Sequence, residues 1–299
     1  MIRGLGAKRD TKRAQPDARG HLAAARVRAG EPLPANFDLT QYEPDRLDQG
    51  HTGSCEGHGW AAGTYTGLAA NGTPLGYVPS PRYGYAGARS LERGAALTPG
   101  VATSIPLPAF VDNGTETEVV AQWYAQGGTI PMLGPTPDGR NSDIWSAADL
   151  SGIPNAPAEN VNNELSLGGL VSGAKRLVTG THRIVDPTAA DTLLQVQTCL
   201  YTLKSPVIVG TFVDSAFEQW QAGQAPIPAP NTNDASGGGH CLYISGFATV
   251  NGVVRILVTN SWGKGWADQG RCWCSVEWVQ ACWDLLIGQS AISAVQEAA

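Results

Sequence analysis

The pattern of apolar and polar positions changes character along the chain. The stretch Cys55–Ala70 is apolar or small at most positions but carries four glycines. It predicts a helix too weak to stand in water, one that tertiary burial would have to hold. Residues 115–126 predict a better helix, with Thr115 as its cap, Glu118 three residues on as in a capping box, and Gly127-Gly128 as its stop. Residues 189–203 predict a third, capped by Thr188. Beyond these the pattern switches to short β-branched and aromatic runs bounded by Gly, Asn or Pro, at 206–213, 241–247, 253–259 and 270–276. Helices first and strands later point to an α+β fold. Residues 32–44 read as an extended lead-in. Two Pro/Gly/Asn-rich stretches, 129–168 and 221–239, read as long surface excursions.

Composition narrows the class. With 299 residues, 42% of them hydrophobic, the chain suffices for one large domain or two small ones with a sizeable core. It is too apolar for a disordered protein, and it lacks the run of about 18 apolar residues that a membrane-spanning helix needs. The 37 Gly and 20 Pro imply many turns rather than a helical bundle. The net charge of -6 hides an asymmetry: residues 1–30 carry eight Lys/Arg against Asp10 and Asp17, a balance of +6, which leaves -12 on the remainder. Such an arm reads either as a solvated terminus or as a basic segment that folds onto the acidic body or docks on an acidic partner. Nucleic acid is not an expected partner. The arm has no apolar core of a secretory signal, so a cytoplasmic or virion-borne protein is the expectation.

Six cysteines, at 55, 199, 241, 272, 274 and 282, are few for the length and clustered late. They read as buried free thiols rather than a disulfide framework. Cys272 and Cys274 share one face of a strand, where geometry disfavours their pairing. With Cys282 they make three soft ligands and no fourth at zinc-like spacing, so no metal site is expected.

The chemistry lies at three places. Gln49-Gly-His-Thr-Gly-Ser-Cys55 precedes the first helix. A cysteine at a helix N-terminus has its thiolate favoured by the dipole and free N–H groups, which also suit an oxyanion, and an upstream Gln can add a donor. Gly237-Gly-Gly-His240 leads into a buried strand, and its glycines would let another chain segment approach the ring closely. Asn260-Ser-Trp-Gly-Lys-Gly-Trp266 follows an apolar strand. An Asn amide can orient an imidazole, and Trp rings can shield that bond. Together they supply nucleophile, base and orienting group.

These motifs resemble those of the papain-like cysteine peptidases, in the form of their bacterial and phage branch. Gln49 precedes Cys55 by the family's six residues, Gly53-Ser54 precedes the nucleophile, and Asn260 to Gly270 matches the Asn-Ser-Trp-Gly-x-x-Trp-Gly-x-x-Gly signature with Ala267 for one Gly. Gly239 to Gly246 matches the histidine strand, while Ser80 to Arg89 resembles a helix that opens Ser-Pro and carries a Tyr and then an Arg, and Asp112-Asn-Gly-Thr115 resembles an Asp-x-Gly-Thr turn. The likeness spans about 33–283. It implies a basic arm (1–32) and a two-lobed peptidase domain (33–299) with a cleft between its lobes. The helical lobe would cover about 50–128, an insertion about 129–168, and an antiparallel β-barrel-like lobe about 169–295. By resemblance Cys55 is the nucleophile, His240 the base and Asn260 its orienting group. Trp262 and Trp266 would shield that pair, Gln49 and the Cys55 N–H would form the oxyanion hole, and Asn113, Gly114 and Gly239 would contact substrate. The implied reaction is hydrolysis of a protein or peptide through an acyl-thioester, with no metal or organic cofactor.

The sequence also departs from the family pattern. Glu56 stands where the best-known relatives carry Trp, and Thr52 where many secreted ones carry a disulfide cysteine. His58 offers either a second polar contact or a structural histidine. Cys55 and His240 are 185 residues apart, against a usual spacing of about 130–150, which assigns the surplus to the two excursions. The Trp145 segment in the first of them reads as a docking loop or as a loop pinned by one buried Trp. The basic arm is too short for a long inhibitory propeptide, though it can form a short plug. Two alternatives remain: an amide-transferring enzyme (deamidase or transglutaminase-like), and a catalytically weak binding or structural module of a virion or bacterial complex. The Asn-Ser-Trp signature favours the peptidase; Glu56 and the arm favour the module.

Overall fold

The computed structural model describes residues 5–8, 32–92, 112–127, 129, 132, 175–177, 181–183, 190–288 and 295–297. Thr188, the Trp145 segment, most of the 129–168 excursion and most of the basic arm lie outside these residues. The helices are α1 (Cys55–Ala70), α2 (Pro81–Leu91), α3 (Thr117–Gly127), α4 (Thr192–Tyr201), α5 (Ser215–Glu218) and α6 (Val276–Ala281). The strands are β1 (Ala7–Lys8), β2 (Asn36–Asp38), β3 (Thr115–Glu116), β4 (Lys175–Leu177), β5 (Thr181–Arg183), β6 (Val207–Val213), β7 (Gly238–Val250), β8 (Val253–Thr259), β9 (Arg271–Cys274), β10 (Asp284–Gly288) and β11 (Val295–Glu297).

An antiparallel sheet of seven strands organises the chain, in the order β5-β10-β6-β7-β8-β9 with β2 also paired to β7. Among the described residues its path is open. The mixed helix and sheet architecture is α+β, as the order of patterns predicts. Strand side chains alternate between two hydrophobic cores, as the two-residue period requires. Ile208, Cys241, Tyr243 and Leu286 face α1, α2 and α3. Val207, Val209, Leu242, Ile244, Leu285 and Ile287 face the opposite side, with α4, α6 and a cluster of tryptophans.

Helix α1 lies where the helical layer meets the sheet, and 14 of its 16 residues are buried. Its glycines are contact points. A Cβ at Gly57 would lie 2.2 Å from the Pro81 carbonyl oxygen of α2, one at Gly59 2.8 Å from Cys241 Sγ, and one at Gly63 2.3 Å from Ile208 Cδ1. The low helix propensity of this stretch is offset by that close packing on both sides.

Two local devices set the frame of β7 and β8. A two-residue turn joins them at Asn251-Gly252, with φ of 53° and 78°, the conformation that Asn-Gly favours in hairpins. A β-bulge then shifts the pairing between Ile244 and Gly246. Its extra residue, Ser245, is held by a 2.9 Å hydroxyl contact with Thr259 and by a 2.8 Å bond from the Leu39 N–H to its carbonyl. A buried carboxylate, Glu43, ties these strands to the lead-in. Its oxygens accept from Tyr243 Oη (2.9 Å), Thr259 Oγ1 (2.6 Å), Arg46 Nη2 (3.0 Å) and Arg271 Nε (3.0 Å).

Two helix starts differ from the sequence expectation. Helix α3 begins at Thr117, because Thr115 is drawn into β3, with its N–H bonded to the Gly6 carbonyl and its hydroxyl to Glu92. Helix α4 begins at Thr192, with Asp191 at the cap position. The six cysteines are buried free thiols, and the sulfurs of Cys272 and Cys274 lie 3.8 Å apart. Among the described residues no helix is long and apolar enough to cross a membrane.

Gly57→Ala separates helix propensity from packing. In isolation Ala favours a helix by about 1 kcal/mol, but here its methyl collides with backbone, and overpacking costs about 1–3 kcal/mol. The expected outcome is a net loss of stability, read as a lower urea midpoint with an unchanged m-value. A gain would show that α1 and α2 can move apart freely.

Candidate active site

Cys55 is the first residue of α1 and is fully buried. Its approach loop is held by polar contacts among its own residues and with the β8–β9 connection. The Gln49 N–H donates to the Ser261 carbonyl at 2.9 Å, Ser261 Oγ donates to Gln49 Oε1 at 2.6 Å, and Gln49 Nε2 donates to the Thr52 carbonyl at 2.8 Å. The Gln49 side chain therefore braces the loop that delivers Cys55. His58 sits one turn into α1 with Nδ1 2.9 Å from the Ser54 carbonyl, and burial lowers its pKa to about 4. It is a neutral structural histidine at the helix start.

The other two groups come from the sheet. His240 and Asn260 meet with Nε2 and Oδ1 2.8 Å apart, and both residues are buried. The indole of Trp262 stacks on the imidazole, with centroids 4.8 Å apart and planes 27° from parallel. Trp266 meets Trp262 edge-on at 5.2 Å, and Phe217 completes the cluster, stacked on Trp266 and edge-on to Trp262. The Asn260 contact is thus roofed by aromatic rings, which keeps water from competing for it. The backbone N–H of Cys241 reaches the Cys55 sulfur, so the start of β7 and the N-terminus of α1 converge there.

The 112–114 turn is tied to the loop that leads into Cys55. Asp112 Oδ2 accepts from the Gly53 N–H at 2.9 Å, and its Oδ1 accepts from Tyr85 Oη at 2.7 Å. The Gly114 N–H donates to that same Tyr85 oxygen at 3.2 Å, and Arg89 Nη1 donates to the Gly114 carbonyl at 2.8 Å. Gly114 is thereby fixed by side chains behind it, and the backbone that reaches a strand in the cleft is that of Thr115. Asn113 lies at the rim, with Oδ1 3.5 Å from Lys8 Nζ. Gly239 borders the other wall, where a Cβ would lie 3.4 Å from the Trp283 ring. Asp112, Tyr85, Arg89, Phe217 and Trp283 play parts that the motifs did not assign. Only Asp112, Tyr85 and Arg89 carried a sequence signal, as members of the turn and helix motifs.

Glu56 points away from the cleft. It is fully buried, Thr117 Oγ1 donates to its Oε1 at 2.9 Å, and the Cys241 thiol bonds to it as well. Burial holds its pKa well above the usual carboxylate range, which favours its uncharged form. Burial also pushes the Cys55 thiol up, Glu56 adds to this, and the N–H groups of Cys241, Gly6 and Glu56 act against it.

No family model matches the chain, and no curated protein does. Comparison with solved structures shows that it has the fold of the papain-like cysteine proteases. Xylellain, a cysteine protease from Xylella fastidiosa, superposes with a TM-score of 0.61 at 19% identity, over 96% of both chains. Procathepsin B from Trypanosoma congolense gives 0.58 at 15% identity, over 92% of this chain and 81% of its own, and bromelain from Ananas comosus 0.50 at 14%, over 85% and 98%.

The raised pKa of Glu56 has a measurable consequence. Its folded pKa lies above its unfolded value of about 4.5, so the folded state binds the extra proton and the group's contribution is lost as pH rises through the folded pKa. Glu56→Gln removes that dependence. Its Tm should equal the wild type's below pH 4.5 and exceed it by a growing margin towards neutral pH. Parallel Tm–pH curves would mean that Glu56 is ionised in the fold.

Proposed function

We propose that the protein is a cysteine peptidase that hydrolyses peptide bonds through a Cys55-His240-Asn260 site. The observation that carries the reading is the 2.8 Å His240–Asn260 contact beneath Trp262, with the sulfur of Cys55 at the backbone N–H of the residue that follows His240. With Nε2 committed to Asn260, Nδ1 is the nitrogen that takes the thiol proton and returns it to the leaving amine. The thiolate attacks the substrate carbonyl, and the oxyanion forms beside the Cys55 N–H at the start of α1 and the Gln49 side chain. Water then hydrolyses the thioester. Thr115 and Gly239 supply the cleft edges, with Asn113 and Gly114 behind the first of them. The fold neighbours support this reading, since their names describe cysteine proteases.

Residues 33–299 form the catalytic unit in this reading, and the substrate is a protein or peptide. The raised pKa of Glu56 fits it, because burial favours the uncharged acid, which acts less on a neighbouring thiolate than a carboxylate does.

An epoxide thiol reagent of the E-64 type tests the proposal. It should modify Cys55 selectively among the six thiols, and Cys55→Ala should abolish both the adduct and hydrolysis of denatured casein. His240→Ala should slow adduct formation by about 100-fold, the lower range for a general base. Equal rates for the wild type and His240→Ala would sink the peptidase reading in favour of a binding module.

A further inference from the structure

The buried thiols divide unevenly between the two cores. Cys199, Cys272, Cys274 and Cys282 lie in the core that holds the tryptophan cluster. Cys55 and Cys241 lie in the other, between α1 and the sheet. Strand alternation causes this: His240 and Leu242 face the tryptophan side of β7, and Cys241 between them faces α1. Of the six thiols, the nucleophile of the proposed site thus shares its core with one other, and that thiol belongs to the residue after His240.

Several contacts bring the two residues together. The Cys241 N–H reaches the Cys55 sulfur, and covalent geometry keeps a cysteine's own sulfur within about 4 Å of its nitrogen. The Cys241 thiol seats against α1 at Gly59, where a Cβ would lie 2.8 Å from it. Gly59 is one turn beyond Cys55, so one face of the helix carries both the nucleophile and the gap that admits the second thiol. Glu56 stands beside this gap, and the Cys241 thiol donates to its carboxyl group. Both cysteines are fully buried. A sulfur oxidised here meets its neighbour before any bulky thiol from solution.

We propose that Cys241 is the resolving thiol of Cys55: once hydrogen peroxide has oxidised the nucleophile, a Cys55–Cys241 disulfide holds it in a recoverable form. In the first step the Cys55 thiolate attacks one peroxide oxygen and the O–O bond breaks. The sulfur gives up two electrons and becomes a sulfenic acid, while the departing hydroxide takes the proton released by Cys55 and leaves as water. In the second step the Cys241 sulfur attacks the Cys55 sulfur and the S–O bond breaks. The hydroxide leaves as water with the Cys241 proton, which Glu56 is placed to carry. Two thiols and one peroxide thus give one disulfide and two waters. A sulfur bonded to Cys241 cannot form a thioester, so the site is off until a thiol reductant opens the bond by exchange. The proposal rests on the peptidase reading for the role of Cys55, whereas the disulfide itself needs only the two thiols.

Treatment of the full chain with hydrogen peroxide tests this, followed by acid quench, alkylation with N-ethylmaleimide and peptide mapping without reductant. The wild type should yield a cross-linked pair of peptides joining Cys55 to Cys241, lighter by the two thiol hydrogens, with the other four cysteines alkylated. Dithiothreitol should remove the cross-link and return hydrolysis of denatured casein to its level before peroxide. Cys241→Ala keeps the backbone N–H, and Cys241→Ser keeps the size of the side chain. In both, Cys55 should go on to the sulfinic acid, and the loss of hydrolysis should resist dithiothreitol, because thiols do not reverse that oxidation state. A wild type without the 55–241 pair would overturn the proposal, as would sulfinic acid at Cys55 forming equally fast in the wild type and both variants. If the cross-link forms but the reduced wild type hydrolyses no casein, the thiol pair stands and the peptidase reading fails. If the reduced wild type hydrolyses casein through Cys55 and no cross-link forms, the reverse holds.

Discussion

The position of the Cys55 sulfur depends on how closely helix α1 approaches the sheet, and glycines set that distance. Gly59 lies against Cys241, the residue that follows His240, and Gly63 lies against Ile208 on the neighbouring strand. A helix of larger residues would stand off the sheet by a side-chain diameter and carry the thiol away from the start of β7. The same stretch is therefore poor as an isolated helix and well suited to its place. Local propensity yields here to tertiary contact, a trade expected where a functional geometry is set by packing.

Charge around the site is arranged by burial. Glu43 is a hub that two arginines and two hydroxyls meet. Glu56 has a hydroxyl and a thiol as partners, and burial raises its pKa. The two buried carboxylates thus differ in the company they keep, one beside guanidinium groups and the other beside a hydroxyl and a thiol. The first joins the lead-in to the strands that end near His240 and Asn260. The second lies at the helix start beside Cys55, where burial favours its uncharged form.

Much of this arrangement is legible in the sequence. The order of patterns indicates the α+β class, and the Gln, Cys, His and Asn motifs mark residues that the fold does bring together. The glycines at 237–239 indicate that another chain segment comes close, but not which one. Leu5-Gly-Ala-Lys8 has no period and no composition to mark it as a strand, because its partners are backbone groups far along the chain. For the same reason the start of α3 is misplaced by its local capping box: Thr115 is claimed by Gly6 and Glu92. Phe217 and Trp283 are equally silent, since an aromatic residue carries no local sign of the ring or glycine it will meet. The direction of Glu56 is set by Thr117, which lies 61 positions away.

The bulge at Ser245 carries a further meaning. Because strand side chains alternate, one extra residue inverts every position beyond it, so the bulge decides which face of the sheet receives His240 and which receives Cys241. Without it, imidazole and thiol would exchange places, and the histidine would meet α1 instead of Trp262 and Asn260. The site is thus written in parity as much as in residue identity. Between Ser245 and Thr259 this protein can drift in composition far more freely than in length.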